Sequence, residues 1–352
     1  MRKGTALVVG ATGITGGNLA SYLTASGWSV YGLSRRPSDQ AGVIPVVADL
    51  LDRAATAEAL TGLPITHVFY CTWVRRDNEK ANVEANGTMM HNLLDALQGA
   101  SLAHVSLVTG TKQYLGAFEN YGSGKTETPF RESAPRVPGE NFYYTLEDIM
   151  FAAAERDGFS WNVHRPHTVI GYARGNAMNM GVTLAVYASI CKATGKPFIF
   201  PGSQMQWNAL TDLTDALVLA RQLEWAATTP GAHNEAFNTV NGDVFRWRRL
   251  WREIGEFFEL EVPDCPETPQ PLEKQMAEIA PTWAEIAEQN ELVETDVTQL
   301  ASWWHTDADL GRELECVNDV TKSRDFGFDH FRETRAVFFD LFARLRAERI
   351  IP

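Results

Sequence analysis

A continuous apolar run, ALVV at residues 6–9, ends in GATGITGG at residues 10–17 and gives way to a helical pattern over 18–25. Apolar residues without polar alternation belong to a strand buried on both faces, the setting of a parallel sheet. A glycine turn between such a strand and a helix makes a phosphate cradle. Gly10 permits the tight turn, Gly13 lets the backbone approach a pyrophosphate, and Gly16 lets helix and strand pack closely. The helix start adds unpaired N–H groups and the positive end of its dipole. The glycine spacing is a weak signal alone; the strand before it and the helix after it give it weight.

The same alternation recurs. Strands are expected at 29–33, 44–48, 66–70 and 104–108, with helices over 52–60 and after Asn82, where Met89, Leu93, Leu94 and Leu97 fall at helical spacing. Five strand-then-helix repeats leave little besides an α/β fold of the Rossmann type, a doubly wound parallel sheet. Residues 119–140 carry glycines and prolines without a period and read as a long loop over the site. Beyond it, Asn141 is placed as the N-cap of a helix, and a sixth strand at 161–165 turns at Pro166. A helix with an acidic start is expected at 210–221 and a last short strand at 235–242. Segments 176–195, 247–260, 282–291 and 335–349 read as further helices. The expected division is an NADP-binding domain over residues 1–172, with segments around 205–242 returning to it, and a smaller, mostly helical substrate-binding cap from 173–204 and 243–352.

The second strand ends in Ser34, Arg35 and Arg36. An NAD-selective site places a carboxylate here for the ribose 2′-hydroxyl, whereas arginines pair with a 2′-phosphate, so NADP(H) is the expected cofactor. The third strand ends at Asp49 and Leu50; Asp49 is positioned either to hydrogen-bond an adenine amino group or to cap the 52–60 helix. The fourth runs into Cys71, Thr72 and Trp73, whose backbone is expected along the cofactor at the C-terminal edge of the sheet.

With 352 residues, 45% of them hydrophobic and 21% charged, the chain can bury a large core and a second, smaller one. Its formal charge of −13 argues against general affinity for nucleic acid or anionic membranes, since a polyanion needs a basic surface to release its counterions. The four cysteines form no CxxC pair, so no metal site or disulfide framework is expected, and a reducing cytoplasm fits. Residues 1–5 lead into the first strand with no apolar segment of signal-peptide length, and no run reaches the roughly 18 apolar residues a membrane span needs.

A nicotinamide-dependent reductase needs an acid beside the substrate oxygen where negative charge develops, and tyrosine suits this role when a cation lies close. NFYYTLED at 141–148 offers Tyr143 and Tyr144 at a helix start, but the residues four positions on are Glu147 and Asp148 rather than the lysine usual in this class. Lys112, just past the fifth strand, is the expected substitute, because strand ends at this edge share a crevice with the start of the following helix.

The chain resembles the progesterone 5β-reductase and iridoid synthase-like enone reductases, an atypical branch of the short-chain dehydrogenase/reductase superfamily. The resemblance rests on GATGITG at 10–16, SRR at 34–36, FYCTW at 69–73, TGTKQYLGAF at 109–118, NFYYTLED at 141–148, HRP at 164–166, NEAFNTVNGDVF at 234–245 and the terminal IIP. It implies NADPH-dependent reduction of the C=C bond of α,β-unsaturated carbonyl compounds, a class that includes steroid Δ4-3-ketones such as progesterone. Carried onto this chain, Tyr143 hydrogen-bonds the enone oxygen with support from Lys112, and Trp73, Phe118, Tyr121 and Phe338 wall the substrate. Cofactor contacts are expected from Gly10, Thr12, Gly13 and Ile14, from Ser34, Arg35 and Arg36, from Asp49 and Leu50, and, near the nicotinamide, from Thr72, Thr109, Tyr143, Pro166 and Val169. The expected partner is a small-molecule enone, with no nucleic acid and no membrane; the assembly is open between monomer and homodimer.

The chain departs from the plant pattern at Gln113, where histidine is usual, at Ala117, where proline is, at His167 and Thr168, where glycine and asparagine are, and around Arg174, Gly175 and Asn176. These changes fall around the substrate and nicotinamide, so steroid or iridoid specificity does not transfer. Two competing readings are a carbonyl reductase or sugar-nucleotide epimerase of the same superfamily, which would need the tyrosine and lysine on one helix, and a silent NADP-sensing regulator.

Overall fold

The computed structural model describes residues 3–117, 127–173, 175 and 178–352. Its strands are Thr5–Val9 (β1), Ser29–Ser34 (β2), Val43–Val47 (β3), His67–Tyr70 (β4), His104–Val108 (β5), Ser160–Pro166 (β6), Val169–Ile170 (β7), Thr214–Asp215 (β8) and Glu235–Thr239 (β9). Seven of them form one sheet in the order β3-β2-β1-β4-β5-β6-β9, every pair parallel, while β7 and β8 pair with each other. The chain moves outward from β1 to β3, then crosses to the other side of β1 at β4. That reversal opens a crevice at the C-terminal ends of β1 and β4, where such sheets take their ligands.

Alternation along the buried strands explains why helices cover both faces. Leu7, Val9, Val68, Tyr70, Val105 and Leu107 point to one face, against Met90 and Leu93 of α3 (Glu79–Ala96) and Leu146 and Met150 of the helix Phe142–Asp157. Ala6, Val8 and Phe69 point to the other, against Leu19 and Leu23 of α1 (Ile14–Ala25) and Leu219 and Leu223 of the helix Ala216–Thr228. The remaining helices are Arg53–Leu60 (α2), Lys112–Leu115 (α4), Met180–Thr194 (α6), Gln204–Asn208 (α7), Trp247–Phe258 (α9), Leu272–Gln275 (α10), Ala280–Gln289 (α11), Trp303–Leu310 (α12), Thr321–Asp325 (α13) and Thr334–Ala347 (α14); Phe142–Asp157 is α5 and Ala216–Thr228 is α8. Helices α6, α9, α11 and α14 share a separate aromatic-rich core with Trp247, Trp251, Trp283 and Phe342 at its centre.

The structure departs from the sequence expectations in four places. Residues 35–42 join β2 to β3 without a helix, so one of the five strand-then-helix repeats is absent. The helix expected at 210–221 begins at Ala216 and runs to Thr228. Thr214 and Asp215 pair with β7, and the Asp215 carboxylate caps the Leu217 N–H at 3.0 Å. Helix α3 starts before Asn82, because Asn78 takes the N-cap and accepts from the Ala81 N–H. Four helices of four or five residues, α4, α7, α10 and α13, are shorter than the span over which apolar periodicity shows itself. Between 127 and 140 no helix or named strand forms, and Phe130 bridges to Asn318.

Candidate active site

The glycine cradle has the tightness its sequence implies. Gly10 sits at φ +85°, and a Cβ there would come within 2.8 Å of the Cys71 carbonyl oxygen; a Cβ on Gly16 would meet the Gly10 carbonyl oxygen at 2.3 Å. Only glycine lets β1, the start of α1 and the end of β4 approach this closely. Helix α1 has Gly13 as N-cap and so no side chain on its first N–H groups. Those donors stay available to an anion. Thr12 is exposed beside them, and Ile14 packs with Val169, Ala173 and Ala216.

At the end of β2, Ser34 is buried and its hydroxyl donates to the Arg36 carbonyl oxygen, fixing the turn. Arg35 and Arg36 are exposed and form no ion pair among the described residues, so no carboxylate there competes for either guanidinium group. Of the two readings of Asp49, the cap is excluded. Asp52 caps α2 through the Ala55 N–H, and Asp49 Oδ1 accepts from the Leu51 N–H at 3.0 Å, leaving an exposed carboxylate beside buried Leu50. These features fit a phosphorylated dinucleotide: an uncapped helix start over a cradle that a Cβ would fill, and two arginines at the β2 end.

At the far side of the crevice the ends of β5 and β6 run together. The Thr109 N–H donates to the His164 carbonyl oxygen and the Thr111 N–H to that of Pro166. A Cβ on Gly110 would lie 3.3 Å from Tyr143 Oη and 3.2 Å from the Pro166 oxygen, so the phenol points at this junction. Asn141 caps α5 by accepting from the Tyr143 N–H at 3.1 Å. Trp73, half-buried after β4, stacks on Phe142 at 5.3 Å, and Phe142 meets Tyr143 edge-on at 4.5 Å. Among the described residues no side chain or backbone group hydrogen-bonds the Tyr143 hydroxyl.

Lys112 opens α4 and is buried, as a strand-end lysine facing the crevice would be, but its ammonium is committed. Nζ donates to Glu79 Oε1 at 2.7 Å and to Asn141 Oδ1 at 3.2 Å. An acidic partner thus offsets this ammonium within the protein. Burial first, and then the negative charge of Glu79, push the Tyr143 phenol well above its ordinary range, and the hydroxyl keeps its proton. Glu79 went unnoticed in the sequence because its partners are 33 and 63 residues away; its one local signal is its place next to the Asn78 cap.

The absent lysine one turn beyond Tyr143 also has a structural reason. Glu147 is buried and accepts from Arg165 Nη2 at 3.2 Å and from Arg136 Nη2 at 2.8 Å. Arg165 in turn donates to Tyr114 Oη at 3.3 Å, and Tyr114 to Asn238 Oδ1 at 2.5 Å. Glu147 thus ties α5 to β6 and β9.

Two further expectations change. Phe338 has no accessible surface and packs against Trp247 and Phe342 in the helical core, so in this structure it gives no wall to the crevice. Phe118 and Tyr121 lie outside the described residues, as do Arg174 and Asn176. His167, beside Pro166, is buried between Asp212, 2.9 Å from its Nδ1, and Arg312, 2.7 Å from its Nε2. Thr168 donates to Asp309 at 2.6 Å. The positions that depart from the plant pattern here latch the helical region to the sheet edge.

Residues 51–352 match the profile of the PRISE-like Rossmann-fold domain. The chain is 39% identical to (S)-8-oxocitronellyl enol synthase CYC2 of Camptotheca acuminata and 38% identical to ISY1 of Nepeta cataria, each over 99% of this chain and 94% of the relative. It is 38% identical, over the same shares, to 3-oxo-Delta(4,5)-steroid 5-beta-reductase of Arabidopsis thaliana. Among solved structures, the epimerase Mth375 of Methanothermobacter thermautotrophicus superposes with a TM-score of 0.71 at 14% identity, covering 98% of this chain and 93% of that one. Thermus thermophilus UDP-glucose 4-epimerase in complex with NAD gives 0.68 at 16%, covering 97% and 99%. At such identities these structures share the fold. No helix among the described residues is long and apolar enough to cross a membrane.

Proposed function

The chain belongs to the PRISE-like Rossmann-fold family, and on that premise we propose that it reduces the carbon–carbon double bond of an α,β-unsaturated carbonyl compound, with NADPH supplying the hydride for the β-carbon. The observation that carries this reading is Tyr143: a buried phenol, kept protonated, aimed at the junction of Gly110 and Pro166 beside the glycine cradle. As the β-carbon is reduced, negative charge collects on the carbonyl oxygen, and a fixed donor there stabilises the developing enolate. Tyr143 acts as that donor, and the enolate then takes a proton at its α-carbon. Lys112 holds Asn141 and thereby the start of α5, so its support of Tyr143 is positional.

Gly10, Thr12, Gly13 and Ile14 hold the pyrophosphate, and Ser34, Arg35 and Arg36 the 2′-phosphate. Asp49 and Leu50 border the adenine, while Thr72, Thr109, Pro166 and Val169 border the nicotinamide. Trp73 walls the substrate with Phe118 and Tyr121. Residues 1–172 with about 205–242 form the NADP-binding domain, and 173–204 with 243–352 the cap that closes over the substrate. Similarity to a steroid reductase and to enol synthases supports the enone class as a whole; the changes at Gln113, His167 and Thr168 leave the individual substrate open.

Incubation of the purified protein with NADPH and a panel of small enones, cyclic enones, enals and a steroid enone, followed by product analysis, tests this reading. Saturated carbonyl products are expected. Alcohols with the double bond intact would make the protein a carbonyl reductase, and NADPH binding with no turnover of any acceptor would make it a sensor.

A further inference from the structure

Three helix starts, those of α3, α4 and α5, meet at one carboxylate. Glu79, in the first turn of α3, accepts on Oε1 from Lys112 Nζ of α4 at 2.7 Å and from the Phe142 N–H of α5 at 2.8 Å. Its Oε2 accepts from Asn82 Nδ2 at 3.3 Å, which fixes the carboxylate plane from its own helix. Asn141 closes the ring: Oδ1 accepts from Lys112 Nζ at 3.2 Å and from the Tyr143 N–H at 3.1 Å, while Nδ2 donates to the Lys112 carbonyl oxygen at 3.1 Å. The Phe142 N–H is one of the donors a helix leaves unpaired at its start, and a side chain from 63 residues earlier supplies its acceptor.

We propose that Glu79 is a positioning residue of the reaction centre. It locks Lys112 and the first turn of α5 into one unit and so fixes the turn that carries Tyr143. A buried ion pair is a poor source of stability, since apolar groups of similar volume serve as well. Here the pair holds the backbone start of the helix that carries the reacting phenol. Among the described residues the charge that acts on Tyr143 is Glu79 from α3, which Lys112 of α4 pairs; Glu147, one turn on along α5, is engaged by Arg165 and Arg136. After burial, the Glu79 charge is what raises the Tyr143 phenol, so removing the carboxylate moves that phenol back toward its ordinary range.

The inference rests on the enone-reductase reading for its effect on turnover, but its test has one arm that needs no substrate. In an ultraviolet pH titration, the Tyr143 phenolate signal, taken as the difference between protein with and without Tyr143→Phe, is compared in the wild-type and Glu79→Gln backgrounds. The signal is expected to move down by on the order of one pH unit or more in Glu79→Gln. In the second arm, kcat of Glu79→Gln with NADPH and an accepted enone is expected to fall at least about tenfold, with its alkaline limb moved to lower pH and NADPH affinity little changed. Loss of kcat by one factor at every pH, with the phenolate signal unmoved, would reduce Glu79 to a structural residue and overturn the proposal. If no enone is turned over, the functional reading fails while the titration still decides the role of Glu79. If Glu79→Gln does not fold, the double variant Glu79→Gln with Lys112→Met removes both charges; it is expected to fold with kcat at least about tenfold down, and wild-type kcat would overturn the proposal.

Discussion

Replacing Glu147 by lysine would restore the tyrosine-to-lysine spacing of the common reductases, four residues along one helix, and the structure says this repair should destroy the protein. The Glu147 side chain is 3% exposed and lies 3.2 Å from Arg165, itself 8% exposed, and 2.8 Å from Arg136. Removing one partner of a buried pair costs about 3–5 kcal/mol, because the other charge stays buried and uncompensated. The new ammonium adds repulsion from a guanidinium at contact distance, about 4 kcal/mol per pair at an effective dielectric constant near 20. The combined loss, roughly 7–9 kcal/mol, is comparable to the whole stability of an ordinary domain, about 5–15 kcal/mol. Glu147→Lys is thus expected to be insoluble or largely unfolded. Glu147→Gln, which keeps volume and an acceptor oxygen, should fold with a clearly lowered urea midpoint. Circular dichroism and tryptophan fluorescence during urea unfolding give both midpoints. A Glu147→Lys protein with the wild-type midpoint, or with raised turnover, would refute the placement of Glu147 between the two arginines and the view that the site draws its cation from α4.

Tyr143→Phe should lower kcat at least about 10²-fold with little change in NADPH affinity by fluorescence titration; unchanged turnover would remove Tyr143 from the chemistry. Arg35→Ala with Arg36→Ala deletes two exposed, unengaged guanidinium groups. At about 1.5–3 kcal/mol for each charge-assisted contact, NADPH should weaken about 10²–10⁴-fold and NADH hardly at all, and equal weakening of both would contradict a 2′-phosphate contact. Acid should destabilise the fold through its buried imidazoles. Burial lowers His164 to about 4 and, with the charge of His233, His104 to about 3. Both folded values lie below the unfolded value near 6.5, so below that pH the unfolded chain binds protons that the folded chain refuses. Their contribution is therefore intact above about pH 6.5 and is lost as the pH falls toward the folded values, by about 2 kcal/mol per group at about pH 5. Urea unfolding between about pH 7.5 and about pH 5 measures it, and a flat profile would mean that neither ring is held neutral.

What could be read from the sequence was whatever depends on neighbours in the chain. The strand, glycine turn and helix at residues 5–25 follow from local sterics and from a strand with no polar face, and Asn141 caps α5 by a bond to a residue two positions on. Asp49 and Asp52, three residues apart, are both candidates for the cap of α2, and only the backbone direction assigns it to Asp52. The link from β2 to β3 lacks the helix that repetition suggested; residues 35–42 are short and hold Pro37, Ser38, Asp39 and Gly42, which favour turns over a helix. Phe338, assigned to the substrate wall by resemblance alone, packs in this structure against Trp247 of α9, a partner far off in sequence that its own neighbours on α14 do not reveal.

Lys112 is the harder case. Counting along α5 reveals that a lysine is missing, and residue chemistry nominates Lys112, but neither operation can find Glu79, whose partners come from α4 and α5. The two departures belong together. With Glu147 at the usual lysine position holding Arg165, α5 has no place for a cation facing its own tyrosine, and the cation enters from the end of β5 instead. Brought in from another element, it needs an anchor of its own, and that anchor carries the opposite charge. Burial first, and then that anchor's charge, raise the phenol, and a protonated phenol suits a donor to an enolate oxygen better than a base that must surrender and recover a proton at a carbonyl.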